Sequence, residues 1–152
     1  MIVGECMRIL VDADGCPVVD IVLRCAARFG VPVTLLCDNA HRMERAGAET
    51  ITVDRGADSV DFALVNRIQP GDIAVTQDYG LAALCLARRA IVLHQDGYQY
   101  TEDNIDSMLL ARHTARKIRR SGGRLRGPAP RTRQQNEDFE RGLMQILSAA
   151  AE

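Results

Sequence analysis

The chain has 152 residues, of which 47 % are hydrophobic, so it can bury the core of one domain. No apolar run approaches the roughly 20 residues of a membrane span, and the N-terminal MIVGEC lacks the basic and apolar regions of a signal peptide. We therefore expect a cytoplasmic protein with no membrane partner. The five cysteines form no CxxC or Cys-His pairing that would suggest zinc, which predicts reduced, mostly buried thiols.

Charge is divided unevenly along the chain, although the net charge is only -1. Nine Arg or Lys residues and no acid occur from position 112 to 133, whereas the rest of the chain holds all 20 acids. This pattern predicts a basic patch on an acidic body.

Short apolar strands alternate with amphipathic helices through the first two thirds of the chain, which predicts βαβ units and a mostly parallel sheet. Strands are predicted over 8–12, 31–37, 51–53, 72–76 and, as the last strand, 90–93, and helices over 17–29, 59–68 and 81–89, with a weaker one over 40–46.

The pattern changes after Gly97. A long helix is predicted over 101–120, with acids first and bases last, as suits the helix dipole. A Pro- and Gly-rich basic linker follows over 124–133, and then a terminal helix over 136–147 that docks through apolar side chains. We predict one α/β domain over 7–121, with the segment 122–152 packed on it and residues 1–6 as an extension.

Aspartates recur where strands end. Asp12 and Asp14 lie at the end of the first strand in VDADGCP, and Asp78 follows the fourth strand in VTQDYG. Asp58 and Asp61 open the third predicted helix in RGADSVDF. Because ligands of parallel sheets bind outside the carboxyl ends of the strands, Asp12, Asp14 and Asp78 would converge if the first and fourth strands are neighbours.

Clustered carboxylates repel each other unless a cation joins them. Oxygen ligands without Cys or His select Mg²⁺ or Mn²⁺, and such ions act chiefly on phosphate esters. Gly15 would let the chain turn tightly into a helix whose N-terminal amides could hold a phosphate. The sequence therefore predicts a catalytic metal site.

Simpler interpretations remain open for most of these acids. Asp14, Asp58 and Asp78 could each cap a helix, and Asp61 could be a solvated acid in a first turn. Asp12 still belongs to its strand, so capping is a weaker alternative there. Lone histidines receive no catalytic role, and Cys16 is interpreted as buried and structural.

The basic segment is interpreted as a surface for phosphate groups, because arginine suits bidentate phosphate contact. A solvated helix end with a linker is the alternative. The residues predicted to contact nucleic acid are Arg112, Arg116, Lys117, Arg119, Arg120, Arg124 and Arg126.

As a set, the quoted motifs resemble those of the bacterial YaiI/YqxD family, which is similar to the PIN-like nuclease superfamily. The resemblance runs from Met7 to about Leu147 and also includes YTEDNID and GGRLRGP. The family commonly has Ala where this chain has Gly15, and its members usually begin near the first strand, so Met7 is a candidate natural start. The resemblance implies a PIN-like three-layer α/β sandwich, with a mostly parallel sheet flanked by helices and a metal-binding acidic cleft.

The same resemblance implies roles for particular residues. Asp12 matches the acid of the first strand, Asp58 or Asp61 the acid near the third helix, and Asp78 the acid after the fourth strand. Asp14 is a feature of the YaiI/YqxD branch. Thr76 and Gln77 would orient or polarise the same cleft.

Three functions are compatible with this sequence. The first is an Mg²⁺- or Mn²⁺-dependent nuclease that uses Asp12, Asp14 and Asp78 on RNA or another nucleic acid. The second is a non-catalytic RNA-binding module in which the arginines act and the acids are caps. The third is a haloacid-dehalogenase-like phosphatase with Asp12 as nucleophile and Asp14 as acid and base, although Cys16 departs from its motif and Lys117 is poorly placed.

Overall fold

A computed structural model describes residues 7–39, 43–54, 59–120, 122 and 129–151. It contains six strands and five helices within these ranges. In chain order they are β1 (Ile9–Asp12), α1 (Val19–Phe29), β2 (Val33–Asp38), β3 (Ala48–Val53), α2 (Ser59–Arg67), β4 (Ile73–Val75), α3 (Tyr79–Ala87), β5 (Ile91–Leu93), β6 (Gln99–Tyr100), α4 (Glu102–Arg120) and α5 (Arg133–Ala151).

The strands form one sheet in the order β3-β2-β1-β4-β5-β6. The first five strands run parallel, and β6 pairs antiparallel with β5. The chain builds outward from β1 to β3 on one side and then restarts beside β1 with β4. The carboxyl ends of β1 and β4 are therefore adjacent, which places the switch point of the sheet between them.

Side chains alternate along each strand, so the sheet divides the core into two layers. Ile9 and Val11 of β1 face α1 and α5, whereas Leu10 faces the opposite layer. That second layer contains Leu64 of α2, Leu81 of α3 and other buried apolar residues reaching α4. The predicted α/β fold is confirmed as a mostly parallel sheet between two helical layers.

Two predicted elements are wrong. The strand over 90–93 is not the last one, because the chain turns back after His94 and adds β6 to the edge of the sheet. The weaker helix over 40–46 is absent from its described part, where residues 43–46 form an irregular segment and a turn before β3. The segment between β2 and β3 is short and has a polar, turn-forming composition, which favours a loop over a helix.

A buried ion pair holds the amino ends of β1 and β4 together. The Asp72 side chain is fully buried and accepts hydrogen bonds from the Arg8 guanidinium at 2.8 Å, the Arg8 backbone N–H at 3.1 Å and the Gln69 backbone N–H at 2.9 Å. These contacts fix β4 beside β1 at the amino ends of the strands, opposite the switch point.

The connection from β5 to β6 lies directly against α5. Gly97 has a φ of +98°, and a Cβ built on it would overlap the backbone carbonyl of Asp138. A Cβ on Gly142 would likewise overlap the Gly97 carbonyl oxygen. The approach of this loop to α5 therefore requires glycine on both sides.

Candidate functional site

Asp12 and Asp78 lie at the carboxyl ends of two neighbouring strands, β1 and β4. Asp12 is the last residue of β1, and Thr76 and Asp78 follow β4. The buried Thr76 hydroxyl donates to Asp12 Oδ2 at 2.8 Å and accepts from the Asp78 backbone N–H at 3.0 Å. Thr76 therefore connects the two strand ends through one hydroxyl.

Burial raises the pKa of Asp12 from 3.8 to about 6. The Thr76 hydrogen bond opposes this shift, because it favours the carboxylate, while the charges of Asp14 and Asp78 add to it. The carboxyl group on β1 is therefore harder to ionise than an ordinary aspartate, and its two acidic neighbours contribute to this. A functional site commonly contains such a group.

Asp78 is the N-cap of α3, as the simpler interpretation of this residue predicted. Its Oδ1 accepts from the backbone N–H groups of Gly80 at 2.8 Å and Leu81 at 3.2 Å. The capping bonds fix the Asp78 side chain at the switch point. The carboxylate therefore caps the helix and still acts electrostatically on Asp12.

Asp14 does not cap α1, so that alternative is wrong. The helix begins at Val19, two residues later than predicted, and has no side-chain cap. Instead, both carboxylate oxygens of Asp14 accept from the backbone N–H of Asp38, at 3.2 and 3.3 Å, at the end of β2. Gly15, with φ of +67°, forms the predicted tight turn after it.

A narrow crevice opens at this edge. Its walls are Asp12, Asp14, Cys16, Val75, Thr76, Gln77 and Gln95. Burial raises the pKa of the Cys16 thiol to about 11, so this thiol is uncharged at neutral pH. Within the described ranges, no group of three or more His, Cys, Asp and Glu side chains is arranged to hold a metal ion.

Asp61 lies apart from this crevice, in the first turn of α2. It and Asp12 both contribute to the raised pKa of Cys85, a buried thiol of α3 whose pKa burial lifts to about 12. Asp58, the other candidate from RGADSVDF, lies outside the described residues.

Only part of the basic segment is described. Lys117 is exposed on α4. The side chains of Arg112, Arg116, Arg119 and Arg120, and the whole of Arg124 and Arg126, lie outside the described residues. Their predicted role in nucleic-acid binding thus remains a prediction.

Two groups at the same edge were not predicted. Gln95 lines the crevice from the loop after β5, and Arg131 holds that loop through its guanidinium, which donates to Asp96 Oδ1 at 2.7 Å and to the Gln95 carbonyl at 2.6 Å. Arg131 was assigned to a linker, and nothing in the local sequence indicates a partner 35 residues away.

The second group is aromatic. His94, Tyr79, Tyr98 and Tyr100 gather beside Asp78, with ring centroids 4.4 to 6.0 Å apart. Tyr100 lies in β6, which was not predicted, and Tyr98 lies in the turn before it. No sequence signal linked them to Tyr79.

Comparison of the sequence with known proteins identifies the family of this chain. Residues 10–149 match the family model described as "Uncharacterized BCR, YaiI/YqxD family". The chain belongs to the YaiI/YqxD family. Proteins named UPF0178 from Exiguobacterium sibiricum and Ruminiclostridium cellulolyticum are 54 % identical over 142 residues and 45 % identical over 146 residues. These alignments cover 93 % and 96 % of this chain, and 97 % and 95 % of the relatives.

A third YaiI/YqxD relative, the UPF0178 protein of Natranaerobius thermophilus, is 46 % identical over 141 residues, covering 93 % of this chain and 96 % of that protein. No solved structure matches the chain. Family membership is therefore confirmed, while the implied likeness to PIN-like nucleases is not. No helix in the described ranges is both long and apolar enough to cross a membrane.

Proposed function

We propose that this protein is a divalent-cation-dependent hydrolase of phosphodiester bonds in nucleic acid, with its site at the β1 and β4 strand ends. The observation that carries the proposal is that Asp12 and Asp14 line one crevice, where the Thr76 hydroxyl also links Asp12 to the Asp78 backbone. The charges of Asp14 and Asp78 oppose the ionisation of Asp12 there. A bound cation would offset this repulsion and favour the ionised form.

The donor chemistry fits Mg²⁺ or Mn²⁺. The crevice is lined by two aspartates, Asp12 and Asp14, and by Gln77 and Gln95, whose side chains carry carboxylate and amide oxygens. Mg²⁺ commonly takes only one or two protein carboxylates and completes its shell with water and substrate phosphate. The absence of a three-residue acidic cage among the described residues is compatible with this mode. When bound, the ion would activate water and neutralise charge developing on the phosphate.

The protein's own residues have separable tasks in this proposal. Thr76 fixes the rotamer of Asp12 through its hydroxyl, and the α3 cap fixes Asp78. The Asp38 backbone N–H fixes Asp14 at the β2 end. Each carboxylate is therefore oriented before a ligand arrives, which lowers the reorganisation that binding requires.

RNA is the proposed substrate class, on the support of the basic 112–133 segment and the resemblance to PIN-like nucleases. The phosphatase alternative receives no specific support. Lys117, the lysine that such a phosphatase would need at its cleft, is exposed on α4, and Cys16 departs from the phosphatase motif. The alternative binding module would hold RNA through its arginines and cleave nothing, so it would need neither a cation nor charged aspartates.

Calorimetric titration with Mn²⁺ tests the proposal. Wild type, Asp12→Asn and Asp78→Asn are compared with Asp103→Asn, which removes an exposed carboxylate from the first turn of α4. Asparagine is also a good N-cap, so Asp78→Asn removes charge while retaining the α3 cap.

We expect Mn²⁺ binding and Mn²⁺-dependent cleavage of a short RNA in wild type and Asp103→Asn, and loss of both in the two site variants. The titration is repeated with the RNA present, because substrate phosphate would complete the shell. No Mn²⁺ binding by wild type in either titration, or cleavage that survives Asp12→Asn, would contradict the proposal.

A further inference from the structure

An aromatic cluster next to the acidic crevice suggests how a substrate is recognised. It consists of His94, Tyr98 and Tyr100 around the β5 to β6 turn, with Tyr79 at the start of α3. These are all three tyrosines of a chain that contains no Trp. The chain has few aromatic residues, and four of its aromatic rings lie together here. Core packing alone does not require this clustering.

The buried members of the cluster form its base. The Tyr100 side chain is 2 % exposed and its hydroxyl donates to the Thr76 carbonyl at 3.2 Å. Thr76 in turn donates to Asp12, so the base of the cluster and the acidic crevice share one residue. The edge of the Tyr79 ring meets Tyr100 at a centroid distance of 6.0 Å.

Tyr98 is the outer member. Its ring is stacked on His94 with a centroid distance of 4.4 Å and an interplanar angle of 10°, and the residue remains 38 % exposed. His94 covers one face of the ring and Tyr100 contacts it at a centroid distance of 5.7 Å, so another flat ring would have to stack on the part of Tyr98 that remains exposed to solvent. His94 is itself only 8 % exposed, and its Nδ1 accepts from the Asp96 backbone N–H at 3.0 Å.

The loop that carries Tyr98 is held firmly. Arg131 donates to Asp96 and to the Gln95 carbonyl, and Gly97 lies in backbone contact with α5. The Gly97 N–H donates to the His94 carbonyl at 2.9 Å, and the His94 N–H donates to the Tyr98 carbonyl at 2.9 Å. A ring fixed in this way loses little conformational entropy when a ligand stacks on it.

We propose that the exposed face of Tyr98 is a stacking site for an unpaired nucleobase, which makes single-stranded nucleic acid the substrate class of the crevice. Base stacking on an aromatic side chain tolerates any sequence and requires a base that is free of its partner strand. The proposal rests on the proposed function for its catalytic meaning, but stacking itself requires neither a cation nor hydrolysis.

Tyrosine fluorescence can report on this site directly, because every tyrosine of the chain belongs to the cluster and no Trp masks the signal. The full-length protein is titrated in EDTA with a single-stranded RNA hexamer and, separately, with a single-stranded DNA hexamer. Each titration is repeated with the matching duplex and with an abasic strand of equal charge. Dissociation constants are confirmed by anisotropy of labelled strands.

We expect quenching and binding with a single strand that carries bases. Tyr98→Leu should weaken binding about 5- to 150-fold, as expected for the loss of one stacked base. Tyr98→Phe keeps the ring and should bind within about threefold of wild type. Thermal unfolding verifies that both variants are folded.

Equal affinity for abasic and base-containing strands would overturn the proposal, as would unchanged binding by Tyr98→Leu. Should Tyr98→Leu fail to fold, the wild-type comparison of abasic and normal strands still decides. Base-dependent binding without any Mn²⁺-dependent cleavage would support the stacking site while contradicting the hydrolase. Mn²⁺-dependent cleavage without base-dependent binding would support the hydrolase and contradict the stacking site.

Discussion

Replacing Asp12 with Asn is expected to stabilise the metal-free protein at neutral pH. The carboxyl group has a pKa of about 6 in the folded state against 3.8 as its ordinary value. The folded protein therefore holds this proton more tightly than the unfolded chain, and wild type loses stability as the pH rises through that window. Each pKa unit corresponds to about 1.4 kcal/mol, so the full loss is about 3 kcal/mol.

The pH dependence of the stability difference between Asp12→Asn and wild type shows whether it comes from the ionisation of Asp12. Above the folded-state pKa, Asp12→Asn should exceed wild type by about 1–3 kcal/mol, the lower figure allowing for the solvent that reaches this half-buried group. At about pH 5 the difference should fall to roughly half its value at about pH 8, because the folded wild type then holds the proton while most of the unfolded chain has released it. The Asn side-chain oxygen can still accept from Thr76, so that hydrogen bond is retained.

Urea unfolding in EDTA at the two pH values measures the difference, with Asp103→Asn as the matched loss of an exposed carboxylate. Asp103→Asn should change stability by less than about 0.5 kcal/mol at both pH values. If Asp12→Asn were less stable than wild type at about pH 8, or if its advantage did not fall with pH, the burial argument would be refuted.

Three further substitutions test the structure. Asp72→Ala leaves Arg8 without its buried partner and should cost about 3 kcal/mol in urea unfolding. Gly142→Ala drives a methyl group into the Gly97 carbonyl and should cost about 1–3 kcal/mol, seen as a lowered Tm. Asp78→Ala removes the α3 cap and should cost about 1 kcal/mol, whereas Asp78→Asn should retain most of that stability.

Arg141→Ala serves as a control for these variants, because Arg141 lies on the exposed side of α5 next to Gly142 and its side chain is 64 % exposed. It should change the free energy of unfolding by less than about 0.5 kcal/mol. A Gly142→Ala variant as stable as Arg141→Ala would show that the loop and α5 are not in the close contact described. Equal stability of Asp78→Ala and Asp78→Asn would show that the cap contributes nothing.

Local patterns were sufficient to predict most of the sheet. β1, β2, β4 and β5 are short, mostly apolar runs bounded by turn residues, whereas only the second half of β3, over 51–53, was predicted because Glu49 and Thr50 interrupt its apolar pattern. The element that was missed, β6, has only two residues and exists because Gln99 and Tyr100 pair with β5. A two-residue strand has no periodicity of its own, so its pairing partner, not its sequence, defines it.

The same distinction applies to the site. The positions of Asp12 and Asp78 at strand ends were predictable, because the βαβ pattern puts every strand's carboxyl end at one edge. The partner of Asp14 was not, since the Asp38 N–H comes from the neighbouring strand β2 and depends on sheet order. The aromatic cluster depends on the missed strand, because β6 brings Tyr100 to the Thr76 carbonyl.

Asp12 connects the fold to the proposed function through its energetic cost. A neutral side chain of the same shape would satisfy Thr76 and remove about 1–3 kcal/mol of unfavourable ionisation, which is substantial beside the 5–15 kcal/mol that stabilises a typical domain. The neighbouring charges of Asp14 and Asp78 oppose a charge at this position. A divalent cation bound at the proposed site would have the charge and the oxygen preference to offset that cost.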